Sequence, residues 1–192
     1  MMRGFKRKDG VLVGRFDKAE VGMLANLVEQ LLDLLTTDEV DGPVFRPTTG
    51  EHDPFTAWEA DFAHVASDDD GGEADPAMER LFPDAYRDDA GASAEFRRFT
   101  RADQLGQKIT RAEQVLADLT VARGPVSIAD ANVGAWLTTL TNLRLTLAVR
   151  LGIEASEDSE MLANLPDDDP RGWIHGVYEW LGWVQESLLE AL

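Results

Sequence analysis

The sequence predicts a mainly α, multi-helix bundle-like fold with a small N-terminal β-hairpin, and three observations predict it. Apolar residues recur at three- and four-residue spacing through four long segments, the mark of amphipathic helices. Strand-like alternation is confined to the first sixteen or so residues. Aspartates suited to helix N-caps stand ahead of the periodic runs, and three of them, Asp53, Asp75 and Asp169, are followed directly by proline. With 192 residues and 44% apolar content the chain can bury one sizeable core, so a single domain over 1–192 is expected.

The hairpin comes first. Asp9-Gly10 is a tight-turn dipeptide, with a short basic arm, Gly4 to Lys8, before it. After it, Val11, Val13 and Arg15 alternate with Leu12, Gly14 and Phe16. A two-stranded hairpin is marginal alone, so it must rest on a helix or on another chain. Asp17 then caps a helix, with Glu20 completing a capping box and Val21, Leu24, Leu27, Val28, Leu31, Leu32 and Leu35 forming its apolar face. Residues 36–47 read as a loop. A short helix is expected from Asp53-Pro54 through Phe55, Trp58, Phe62 and Val65. Residues 67–75 form an acidic, glycine-containing linker with nothing to bury, expected to be mobile.

Asp75-Pro76 restarts a short helix that Pro83 ends. A long helix follows over roughly 91–121, with Gly106 as a point where it can bend. Gly124-Pro125 breaks the chain and Val126 to Ile128 suits a brief extended piece. Asp130 is expected to cap a helix running to Leu151, stopped by Gly152. An acidic loop and Asp169-Pro170 lead into the final helix. No internal repeat is present.

The formal net charge is -18. That balance repels phosphate backbones and argues against broad nucleic-acid binding. The charge is uneven: residues 1–18 hold six bases and two acids, a net of +4, which leaves -22 on the other 174. Residues 153–192 hold ten acids and one base, Arg171. No run of about 18 apolar residues suggests a membrane span, and no apolar stretch follows the basic N-terminus as in a signal peptide. A cytoplasmic protein is expected. The absence of cysteine excludes disulfides and thiolate metal sites.

The search for catalytic sets yields little. No Gly-x-Ser-x-Gly, Walker loop or dinucleotide-binding glycine pattern occurs. The histidines are His52, His64 and His175. Glu51, His52, Asp53 and His64 could hold a metal in a small enzyme or ligand-binding helical protein, but their spacing fits no ligand template, and a surface or capping cluster is the preferred reading. The run Asp68 to Asp70 lacks the glycine and distant glutamate of a calcium loop and reads as a solvated linker, while Asp167 to Asp169 mainly supplies a helix cap and favourable charge at a helix N-terminus. His175 reads as structural. Neither a catalytic residue nor a cofactor or metal site is assigned.

Binding surfaces are easier to nominate. The terminal helix carries Trp173, Val177, Trp180, Leu181, Trp183, Val184 and Leu188 over more than one stripe. Trp and Tyr are strong interface anchors, so these residues are candidates for a dimer interface; a helix buried all round within one chain explains them equally well. Arg3, Lys6, Arg7 and Lys8 could contact phosphates directly, or form a solvated edge beside the acidic body. Arg97 and Arg101, with Lys108, share a face of the long helix and could meet acids of this chain or of a partner.

Several strings resemble a known family. They are Asp75-Pro-Ala-Met-Glu-Arg-Leu-Phe-Pro-Asp-Ala-Tyr-Arg-Asp-Asp89 with Glu95-Phe96-Arg97-Arg98, Trp136-Leu137, Leu143-Arg144-Leu145, Arg150-Leu151-Gly152-Ile153, and Tyr178-Glu-Trp-Leu-Gly-Trp-Val-Gln-Glu-Ser187. Together they resemble the AosR-like oxidative-stress transcriptional regulators of actinobacteria, formerly a domain-of-unknown-function family, from Phe5 to Leu189. The resemblance implies a cytoplasmic, non-catalytic homodimer with a stress sigma factor or RNA polymerase component as partner, acting at genes of cysteine biosynthesis. In some members it also implies a redox-active cysteine pair. This chain departs there: without cysteine it cannot run a disulfide switch, which leaves another trigger, such as methionine, or a constitutive dimer.

Overall fold

In a computed structural model of the chain, the described residues are 3–37, 75–86, 89–122, 124–166 and 168–192. Strands β1 (Arg3–Lys8) and β2 (Val11–Arg15) form the expected antiparallel hairpin. Its turn places Asp9 and Gly10 at positive φ, 51° and 81°, as a two-residue turn of matching twist requires. The pairing register shifts between Arg3 and Lys6, a bulge in β1. The short extended piece predicted near 126 is β3 (Val126–Ile128), and it joins the hairpin to make a three-stranded antiparallel sheet in the order β1-β2-β3. Leu12 and Ile128 are paired in it and fully buried.

Six α-helices occur among the described residues. Helix α1 (Lys18–Thr37) starts at the predicted capping box: Asp17 accepts from the Glu20 amide at 2.9 Å, and Glu20 accepts from the Asp17 amide at 2.8 Å. The Glu20 amide foremost, with the Ala19 amide, holds the Asp17 carboxyl below its ordinary value. Helix α2 (Pro76–Leu81) is capped by Asp75, whose other oxygen pairs with Arg150. Helix α3 (Ala90–Val121) is capped by Asp89 and continues through Gly106 without interruption. Thr36 and Thr37, predicted as loop, belong to α1. The remainder of that loop, the 53–65 helix and residues 67–74 of the acidic linker lie outside the described residues.

Two expectations are corrected. Asp130 does not cap the next helix; residues Asp130–Asn132 form a 3₁₀ turn, and the Asp130 carboxylate accepts from the Arg7 guanidinium at 2.9 Å instead. Helix α4 (Val133–Leu151) therefore begins at Val133 and ends on Gly152, which takes the left-handed conformation at φ 69°. The acidic stretch after it is not all loop, because Ser156–Ala163 forms helix α5. That helix buries only Leu162, so it carries no apolar period for the sequence to reveal. The Asp158 carboxylate anchors its start, accepting from the Glu154 and Ala155 amides at 2.9 Å each. Helix α6 (Pro170–Glu190) starts at Asp169-Pro170 as predicted.

Helix α4 packs against α1, α2, α3 and α6, and the sheet closes the core at the hairpin end. Trp136 of α4 is fully buried and donates its Nε1 proton to Asp118 of α3 at 2.9 Å, which satisfies the indole at the centre of the core. Phe5 meets Trp136 and Phe16 edge to face, and Phe16 meets Trp180 likewise. This aromatic chain joins the hairpin to α4 and α6. No described helix is long and apolar enough to cross a membrane.

Candidate functional site

Helix α6 divides the predicted interface residues. Val177, Leu181, Val184 and Leu188, with Ile174, form one stripe buried in the chain's own core. Trp173 and Trp183 keep 43% and 42% of their surface exposed, and Trp180 is half-buried against Phe16. The Nε1 proton of Trp180 is buried without a hydrogen-bond acceptor. The core stripe thus accounts for four of the seven residues, and the tryptophans lie along its flank, where Trp183 adjoins β1 and Trp180 meets Phe16. The two elements fit closely there: a Cβ on Gly4 would come within 3.1 Å of Ser187 and 3.9 Å of the Trp183 ring.

The basic residues are scattered over two regions. In β1, Lys6 and Lys8 are exposed while Arg7 is tied to Asp130. The side chain of Arg3 is outside the described set. On α3, Arg97 pairs with Asp84, and Arg101 and Lys108 both lie over the Phe82 ring, at 5.1 and 5.4 Å. Lys108 also donates to Asn142 at 2.9 Å, and burial pushes its ammonium pKa down. The face predicted from spacing is therefore engaged within the chain. Of the possible metal-binding residues, Glu51, His52, Asp53 and His64 all lie outside the described residues. Among the described residues no group of three or more histidines and carboxylates could hold a metal ion.

One serine–histidine pair escaped the sequence. Ser159 of α5 and His175 of α6 are 2.7 Å apart at Oγ and Nε2, and His175 is buried. Glu179 approaches the same Nε2 at 4.0 Å. A nucleophilic triad needs its carboxylate on the other ring nitrogen, where it would orient the imidazole. This arrangement lacks that, so the pair acts as a clasp between α5 and α6, in line with the structural reading of His175. Sixteen residues of separation with no motif around them leave no sequence signal for it.

The opposite flank of α6 faces a half-open cavity of about 420 Å³ between α4, α5 and α6. Arg144 of α4 reaches into it. Its guanidinium lies 4.9 Å from the centre of the Tyr178 ring and over Gly182, where a Cβ would approach Cζ to 3.3 Å. Gln185 and the Tyr178 hydroxyl accept from it at a loose 3.4 Å each. Gln185 is itself fixed by donating to Thr141 at 2.8 Å.

Comparison with known proteins adds kinship to this geometry. The family model for a domain of unknown function, DUF2017, matches residues 2–192. The chain is 28% identical over 186 residues to the AosR protein of Mycobacterium leprae (strain TN). It is 26% identical over 186 residues to the oxidative stress regulator AosR of Mycobacterium tuberculosis (strain H37Rv) and of Mycobacterium bovis. Each of these alignments takes in 90% of this chain and 78% of the relative. No solved structure matches the chain.

Proposed function

The chain belongs to the DUF2017 family, and from that premise we propose that it is a non-catalytic regulator of transcription acting through protein contacts. The observation that carries this reading is similarity to proteins named oxidative stress regulators over nine-tenths of the chain. The charge of -18 supports recruitment through a protein partner over direct reading of a promoter. The proposed partners are a second copy of the chain, meeting along the Trp173, Trp180 and Trp183 flank of α6, and a sigma factor or other polymerase component. Exposed aromatic surface at a helix flank is what such contacts use.

The trigger is not a disulfide, because the chain has no cysteine. Light scattering on the eluting protein tests the homodimer: a mass near twice 21.2 kDa is expected, and a folded monomer at micromolar concentration removes it. Affinity capture against purified sigma factors tests the second partner. Tight promoter binding by the protein alone, steeply weakened by salt, would replace this reading with direct phosphate contact through Lys6 and Lys8.

A further inference from the structure

We propose that the cavity between α4, α5 and α6 is a binding site for a small zwitterion of free amino-acid type, with Arg144 receiving its carboxylate. The site goes beyond the regulatory reading and stands whether or not the chain acts in transcription.

The argument begins with Arg144. A guanidinium has five N–H donors in a planar fork that matches a carboxylate. Here two of the nitrogens make only the loose contacts to Gln185 and Tyr178, and the Nε proton is buried with no acceptor. No described carboxylate pairs with Arg144. Buried donors on charged groups are rarely left so, and the arginine is nevertheless held in place. Tyr178 stacks on it, the missing Cβ of Gly182 admits it against the helix, and Gln185 is braced by Thr141. The positioned fork and the space beside it are what carboxylate recognition requires.

The remaining lining selects the ligand. Arg80 and Arg144 contribute two positive charges, and Glu154 and Glu179 two negative ones. A sulfate, phosphate or dicarboxylate would gain at the arginines and meet repulsion from both glutamates. A molecule with one carboxylate and one ammonium can pair with a base and with an acid of the lining. Leu145, Ala148 and Ile153 offer apolar surface for a side chain, and the hydroxyls of Ser156 and Ser159 lie on the α5 wall.

The test uses the full chain and three matched probe sets: free amino acids at about 10 mM, the corresponding acids without the amine, and the amines without the acid. Binding is followed by thermal shift and by the NMR signal of the Arg144 Nε proton. The expected result is a saturable response to at least one amino acid, with a dissociation constant about tenfold or more below those of its two halves, and a displaced Arg144 Nε signal. Arg144→Lys should weaken it by a further factor of about ten, since the fork is lost while the charge stays. Glu179→Gln should erase the advantage of the amino acid over its deaminated analogue. Gly182→Ala, which alters no charge, should weaken binding by crowding the guanidinium. No saturable response to any amino acid overturns the proposal, as does equal binding of the deaminated acid or wild-type affinity in Arg144→Lys.

Discussion

Along one flank of α6, Trp180 meets Phe16 edge to face and Ser187 meets the strand at Gly4. Along the other, Tyr178, Gly182 and Gln185 meet a guanidinium and open space. Between them runs the stripe from Ile174 to Leu188, which holds the helix in the core. The first flank is apolar and packs on the hairpin, and it leaves Trp173 and Trp183 partly exposed. The second is polar, loosely contacted and hollow, so it contributes little to folding and retains capacity to bind. A helix of one sequence period can thus serve three purposes on three faces.

The division predicts a ranking of mutational effects. Leu181→Ala removes a fully buried side chain from the central stripe and should cost the most, about 2–5 kcal/mol in urea unfolding. A cost comparable to a surface substitution would mean that α6 is not the core element described. Gly14→Ala comes next. A Cβ there would sit 2.6 Å from Cε1 of Phe5 and 2.9 Å from Cε2 of Phe16, inside the aromatic chain that ties the hairpin to α6. Both rings are hemmed in, so a loss of about 1–3 kcal/mol is expected from calorimetry.

These two residues also show what the sequence could and could not disclose. Leu181 belongs to a regular apolar period, so its burial is legible from spacing alone. The Asp17–Glu20 capping box and the Asp9-Gly10 turn are legible for the same reason: they are contacts between near neighbours in the chain. The reason for Gly14 is not local, since it depends on Phe5 crossing from the adjacent strand. The Arg144 seat is less local still. Its parts fall in the strings Leu143-Arg144-Leu145 and Tyr178 to Ser187, which carry the family resemblance, yet nothing in either string says that they meet. The tryptophans show a different limit. Composition marked the whole terminal helix, but only packing separates Val177 and Leu181, inside, from Trp173 and Trp183, partly outside.

Trp183→Ser separates folding from association on the first flank. The ring is 42% exposed, so the cost to the folded chain should be about 1 kcal/mol. Under the proposed dimer, the same change should shift the association midpoint in sedimentation far more than it shifts the unfolding midpoint. Equal small effects on both would move the dimer surface away from α6.

The smallest expected effect lies at the starts of α5 and α6 and depends on pH. Asp169 accepts from the side chain and then the amide of Arg171, and these bonds hold its carboxyl below the ordinary value of 3.8. Asp158 is lowered likewise, by the amides of Glu154 and Ala155. A depressed folded pKa means that the unfolded chain takes up the proton first. The stabilisation is therefore complete above 3.8 and is lost as the pH falls through the lower, folded value. Both carboxylates are half-buried and still reached by solvent, so salt screens part of the effect. Replacing both with Asn should flatten the acid limb of stability against pH, and should bring forward amide exchange in the first turns of α5 and α6. The start of α1, capped by Asp17, should keep its wild-type acid response. If acidification loosens α1 and α5 together in the variant, the hairpin flank and the cavity flank open as one unit, and the contrast between them ends at the level of packing.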